Sequence, residues 1–411
     1  MVRKSTVQTA SVIGAGTAGL MAAERLATAG VAVTVHDRMP SVGRKFLLAG
    51  RGGLNLTHSE AAEAFLGRYG TAGGRLEAML QAFPPSALVA WAEALGQATF
   101  VGSSGRIFPK AMKASPLLRA WLGRLNVQGV KFELGHRWTG WTSAGDLAFE
   151  GKTVPRPDLT VLALGGASWP RLGSDGAWSS ILAAQGVPQS PLRPANSGFL
   201  VAWSEVFRER FAGEPVKGIA LTIGSRRLTG EAMITRSGIE GGGVYALSGL
   251  LRDAIDRKGE AHLYIDLRPG VTADAITGRI ARTPAHQSVS GRLRKALNLA
   301  PVAVGLMREA TGGGLPTVPA DLARLVKGVR LVLTGTTPIE RAISTAGGVA
   351  WDAVDENLRL KVIPDVAVAG EMLDWEAPTG GYLLQACFAT GAWAADQALN
   401  SWPSSRAPGR P

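Results

Sequence analysis

The chain has 411 residues, 46% hydrophobic and 18% charged, the composition of a globular protein with room for two or three domains. Its single cysteine, Cys387, excludes intrachain disulfides, C-x-x-C redox chemistry and cysteine-rich metal sites, and five scattered histidines lack ligand spacing, so no metal is expected. The net charge of +12 suits anionic ligands, yet the densest basic clusters, at 226–227 and 292–295, lack interleaved aromatics, so nucleic acid is not the expected partner.

The opening MVRKSTVQTASVIG runs into a strand with no separate signal segment, and no apolar run reaches the roughly 18 residues of a membrane span. A cytoplasmic protein is therefore expected. Residues 11–38, SVIGAGTAGLMAAERLATAGVAVTVHDR, read as strand, tight turn, helix and strand. Gly14, Gly16, Thr17, Ala18 and Gly19 belong to a G-x-G-x-x-G turn that brings backbone and helix start onto a pyrophosphate. Asp37, with Arg38 after it, closes the second strand where a carboxylate accepts from ribose hydroxyls. This arrangement predicts a dinucleotide site in a Rossmann-like α/β domain.

Residues 40–60 follow as a glycine-punctuated loop carrying Arg44, Lys45, Arg51, Gly53, Asn55, Thr57 and His58. By composition it is either a surface turn or a segment lying along the nucleotide. Helical patterns are expected near 86–95 and 115–125, with a loop at 103–115 between them. Short strands are expected at 130–134 and within 138–149. The continuous apolar run at 158–166, ending in Gly165 and Gly166, suits a parallel strand buried on both faces. From 196 to 340 the pattern changes to alternating strands, at 197–203 and 218–224, and then to helices over 276–325. The glycines at 241–243 have neither a buried strand before them nor a closing acid after them, so a second nucleotide loop is not expected there.

The last stretch returns to the first pattern. A buried strand at 366–369 ends in Gly370 and Glu371, and Thr379, Gly380, Gly381 and Tyr382 open a helix expected to run to about 395. A carboxylate at a strand end binds ribityl hydroxyls. A helix N-terminus at the pyrimidine edge of a flavin stabilises the charge that develops there on reduction, which points to a flavin and not only a nicotinamide.

GRKFLLAGRGGLNLTHS, at 43–59, resembles the flavin-proximal signature of the BaiN/YhiN-type family of NAD(P)/FAD-dependent oxidoreductases, with Gly43, Arg44, Lys45, Asn55 and Thr57 matching. Leu54 stands where that family has cysteine, and His58 where it has asparagine. Further matches at Gly105, Arg106, Phe108, Pro109, at Gly165, Gly166, Ser168, Ser174, and at Gly370, Glu371, Thr379, Gly380, Gly381 and Tyr382 extend the resemblance over nearly the whole chain. It implies a discontinuous, glutathione-reductase-like FAD-binding domain at 1–195 and 341–411. The insert at 196–340, a small β domain plus a helical subdomain, is expected to cap the flavin and shape a substrate pocket. It also implies bound FAD, NAD(P)H as reductant, and a small-molecule acceptor such as an activated C=C bond. Tyr382, Tyr245 and His58 are the candidate proton donors. The rival readings are a flavoprotein acting on RNA and a non-catalytic FAD-stabilised scaffold.

Overall fold

A computed structural model describes residues 7–50, 52–284 and 286–401. It forms two compact units, Met1–Arg193 with Ser344–Pro411, and Pro194–Ile343.

The first unit is built on strands β1 (Thr9–Ile13) and β2 (Ala32–Asp37) with helix α1 (Thr17–Thr28) between them. Helix α2 (Arg44–Ala49) and strand β3 (Thr57–His58) follow. Helices α3 (Ala62–Gly67), α4 (Gly73–Ala82) and α5 (Pro85–Ala94) lead to β4 (Thr99–Val101), β5 (Arg106–Pro109) and α6 (Ala114–Val127). Then come β6 (Lys131–Leu134), the meander β7 (Trp138–Trp141), β8 (Leu147–Phe149) and β9 (Lys152–Val154), and β10 (Leu159–Leu162). The main sheet runs Arg359–Leu360, Ile363–Val368, β10, β1, β2, β6, and all its pairings except the first are parallel. Every residue of β10 is buried, as a strand covered on both faces requires. The C-terminal helix Tyr382–Ser401 packs along α1, so the two ends of the chain share one core.

Three local expectations are corrected. The loop at 40–60 contains a helix, α2, entered through Gly43 in the left-handed region at φ 64°. The loop at 103–115 contains β5, the middle strand of a small sheet β3–β5–β4, because Ile107 and Pro109 turn inward as a buried pair. The strand expected at 197–203 shrinks to Phe199–Leu200.

The second unit holds a sheet ordered Val329–Leu333, Ala261–Asp266, Pro215–Ile223, Arg226–Ile234, Gly238–Glu240, Phe199–Leu200, Gly335–Thr336. Helices including Ala273–Ala281, Val289–Leu297, Pro301–Ala310 and Pro319–Lys327 bury one apolar core with it. Contrary to the expectation that no buried strand precedes the glycines at 241–243, the short strand Gly238–Glu240 runs directly into them, with its first two residues buried, and Gly242–Tyr245 is a single short helical turn.

Candidate cofactor site

The site begins where β1 meets α1. Gly14 has φ +108°, and a Cβ there would lie 2.3 Å from the Ala163 carbonyl oxygen, so β10 closes against the turn only because Gly14 lacks a side chain. At Gly16 the reverse holds, since a Cβ would meet nothing within 4 Å. The turn is tight on the sheet side and open on the other. The first intrahelical bond, from the Leu20 N–H to the Gly16 carbonyl, leaves the N–H groups of Thr17, Ala18 and Gly19 at the helix start. Such a terminus attracts phosphate.

A cleft open to solvent runs past this terminus. Its walls include Gly14, Gly16, Asp37, Arg38, Arg44, Lys45 and Gly165, all expected from the sequence. Asp37 does not hang free. One oxygen accepts from the Ala15 N–H at 2.7 Å and the other from the Met39 N–H at 2.8 Å. Burial pushes its carboxyl above the ordinary range, against those two bonds. Arg38 is committed to the far wall, donating to the carbonyls of Gly173 at 3.1 Å and Pro170 and pairing with Asp175 at 2.8 Å. Asp175 also pairs with Arg137 at 3.0 Å, so one carboxylate ties β2 to the segment leading into β7. Arg44 is different. Its guanidinium donates to the Ser41 hydroxyl at 3.3 Å, and its buried Nε has no partner among the described residues. A half-buried guanidinium beside a helix N-terminus is suited to an anion.

Glu371 lies where the strand Ile363–Val368 ends. Its Oε2 takes the Lys45 ammonium at 2.7 Å, while Oε1 accepts from the Thr345 N–H at 2.9 Å. Lys45 also donates to the Ser168 hydroxyl at 2.7 Å. Ser168 and Thr345 were not among the candidate ligands, although Ser168 lies in a matching motif.

At the next station Gly380 and Gly381 lead into the C-terminal helix. A Cβ on Gly381, φ +97°, would lie 2.5 Å from the Thr57 Cα, so this helix start is pressed onto the 53–57 segment. Thr57 is fully buried and its hydroxyl has no partner among the described residues; the same is true of Asn55 Oδ1. Buried polar atoms are almost always paired in native proteins. Unpaired ones beside a helix N-terminus fit a polar ring edge that supplies both donors and acceptors. Arg51 lies outside the described residues, Gly53 packs on Met112, and Thr379 belongs to the turn before Gly380.

The proton-donor candidates fall in different places. The Tyr382 ring packs over Gly380, where a Cβ would lie 2.7 Å from its Cε2, and its hydroxyl donates to Glu60 at 2.7 Å, with Arg68 gripping the same carboxylate. Burial, then that bond, push its phenol well above the usual range. His58 stacks on the Tyr382 ring at 5.6 Å and contacts the Ser104 carbonyl at 2.9 Å. Tyr245 belongs to the second unit, where burial also raises its phenol. Burial pushes the Cys387 thiol up to about 12, with Glu371 adding to the effect, so it is no thiolate nucleophile. Among the described residues no group of three His, Cys, Asp or Glu is placed to hold a metal, and no helix is long and apolar enough to cross a membrane.

The profile of the HI0933-like protein Rossmann domain matches residues 8–397, from the start of β1 into the last turns of the C-terminal helix. The chain belongs to the HI0933-like family. It is an FAD-dependent oxidoreductase with a Rossmann-like FAD-binding fold. Among curated relatives it is similar to the 3-dehydro-bile acid delta(4,6)-reductase of Clostridium scindens, 26% identical over 398 residues, covering 92% of this chain and 96% of the relative. It is also similar to the ribosomal RNA dihydrouridine synthase of Haemophilus influenzae, 22% identical, covering 91% and 94%. Among solved structures, the 3-ketosteroid delta1-dehydrogenase of Sterolibacterium denitrificans aligns over 96% of this chain and all of that one, with TM-score 0.52 and 14% identity. The 3-ketosteroid-delta4-(5alpha)-dehydrogenase of Rhodococcus jostii aligns over 95% and 96%, with TM-score 0.50 and 16% identity. These two likenesses concern the fold.

Proposed function

We propose that this HI0933-like protein takes a hydride from NAD(P)H onto bound FAD and delivers it to a C=C bond conjugated with a carbonyl. The observation that carries the reading is the polar cradle at the start of the C-terminal helix, where the Thr57 hydroxyl and Asn55 Oδ1 lie buried and unpaired beside Gly381. In this reading the N–H groups at the start of α1, with Arg44, hold the pyrophosphate, and Asp37 lies at the adenosine ribose. Glu371, oriented by Lys45 and Thr345, holds the ribityl chain. Gly165 and Gly166 give the chain close passage past that carboxylate. FAD, when bound, supplies an electron sink that accepts and returns a hydride. The protein's part is to bind, orient and polarise: the helix N-terminus faces the ring edge where negative charge develops.

Support for the acceptor comes from chemistry shared by the two curated relatives. A delta(4,6)-reductase and a dihydrouridine synthase both saturate a ring C=C bond. The proton that completes such a reduction is not supplied by Tyr382 in this reading, because its hydroxyl is held by Glu60. The test is anaerobic mixing of FAD-loaded protein with NADH or NADPH, followed by a cyclic enone. Reduction of the flavin and reoxidation by the enone support the proposal; a flavin inert to both nucleotides refutes the donor. A second reading, an RNA acceptor, is favoured by the name of the Haemophilus relative and the net charge of +12. It predicts RNA binding that weakens steeply with salt.

A further inference from the structure

The small sheet β3–β5–β4 carries a face that the mechanism above does not use. Strand alternation sends Ile107 and Pro109 into the protein and leaves Arg106, Phe108 and, just past the strand, Lys110 on the outer side. Phe100 stands directly opposite Phe108 on β4, and their rings stack at 5.7 Å and 27°. Phe100 is 39% exposed and the neighbouring Met112 38%. Arg106, Lys110 and Lys113 are exposed, and none forms an ion pair among the described residues. The sequence explains why: no Asp or Glu occurs between Glu93 and Glu133.

This face adjoins the segment that presses on the C-terminal helix. The Leu54 N–H donates to the Met112 carbonyl and the Leu56 N–H to that of Ile107, both at 2.9 Å. A Cβ on Gly53 would lie 2.6 Å from Met112 Cε and 3.7 Å from the Phe108 ring. An open aromatic pair with a cation about 7 Å to either side along the strand is the chemistry that takes a flat heteroaromatic ring joined to phosphates.

We propose that this face is the docking site of the hydride donor and that the donor is NADPH. Its adenine stacks on Phe100 and Phe108, and its pyrophosphate and 2′-phosphate are taken by Arg106, Lys110 and Lys113. The inference rests on the proposed NAD(P)H reading and deepens it, since the sequence has no second G-x-G-x-x-G motif for a pyridine nucleotide. The transfer balances: NADPH gives a hydride to the bound flavin and leaves as NADP⁺, and one proton from water completes the reduced flavin. Lys113 provides for the extra phosphate, so NADPH binds more tightly than NADH.

The experiment is rapid anaerobic reduction of the FAD-loaded protein over a range of NADPH and NADH concentrations. The wild-type chain is compared with K110Q/K113Q and with Phe100→Ser. The double variant should raise the apparent Kd for NADPH about tenfold and that for NADH less, while the limiting rate, FAD content and thermal midpoint stay unchanged. Phe100→Ser should weaken both nucleotides alike. Variants that bind and react as the wild type does would overturn this inference alone, leaving the donor reading intact. A wild-type flavin that neither nucleotide reduces defeats the donor reading and this inference together. The inference also fails if the variants lose affinity for a single-stranded oligoribonucleotide but not for NADPH.

Discussion

His36 offers a quantitative test of how the cleft is built. It precedes Asp37 on β2, is 1% exposed, and packs on the Phe149 ring at 4.6 Å with His136 at 6.5 Å. Neither ring nitrogen has a partner among the described residues. Burial holds its pKa at about 4, well below the usual 6.5; Glu133 pulls it up while Lys152 and His136 push it down. A base whose folded pKa is depressed contributes its stability in full above the unfolded pKa and loses it as pH falls towards the folded one. From 6.5 and about 4, the loss from this residue amounts to about 2 kcal/mol at pH 5 and almost nothing at pH 7.5. His36→Phe keeps a flat ring against Phe149, removes two unpaired nitrogens and abolishes the titration. Urea unfolding with saturating FAD should show the two proteins close together at pH 7.5. At pH 5 the variant should be the more stable by about 2 kcal/mol. Parallel pH profiles, or a His36 imidazole that titrates near its ordinary value by NMR, would refute the reasoning.

Gly381→Ala puts a methyl 2.5 Å from the Thr57 Cα at a positive φ, and should lower FAD affinity at least about tenfold, read by flavin fluorescence. Thr57→Val replaces a buried, unpaired hydroxyl: without FAD its thermal stability should equal or exceed the wild type's, by up to about 1 kcal/mol, yet FAD binding should weaken several-fold. A loss of stability without FAD would contradict that assignment. Glu24 is buried and accepts from Trp121 at 2.6 Å, Trp91 at 3.0 Å and Arg124 at 2.9 Å. Glu24→Leu should therefore cost about 3 kcal/mol in chemical unfolding by stranding these donors. Tyr382→Phe should leave enone reduction within about threefold of wild type if the phenol is an anchor to Glu60; a loss of about 10²-fold or more would make it a proton donor after all.

What the sequence revealed follows the range of the interactions. The β1–α1–β2 unit was legible because its turn, periodicity and closing acid lie within one short stretch. The strand ending at Gly370-Glu371 and the helix after Gly381 were legible for the same reason. Lys45 and Glu371 are 326 residues apart, and the Arg38 contact with Pro170 spans 132, so neither bond leaves a local trace. That is why nothing in the sequence signalled that the Arg38 guanidinium braces the cleft wall, and why Thr345 and Asp175 were not singled out. The β3–β5–β4 sheet was hidden by the glycines and proline around it, which read as loop. Its register comes from packing on Ile107 and from pairing with a two-residue strand. The Tyr382 ring signalled a possible acid from its chemistry alone, whereas only the fold shows Glu60 and Arg68 holding it.

The most direct test of the central claim is the visible absorbance spectrum of the purified protein after equilibration with FAD and removal of excess, followed through anaerobic addition of NADPH and then a conjugated cyclic enone. The account predicts flavin bands that stay with the protein, bleach with NADPH and return as the enone is consumed, with one equivalent of saturated ketone formed. A protein that retains no flavin, or whose reduced flavin no conjugated C=C bond reoxidises, would contradict it.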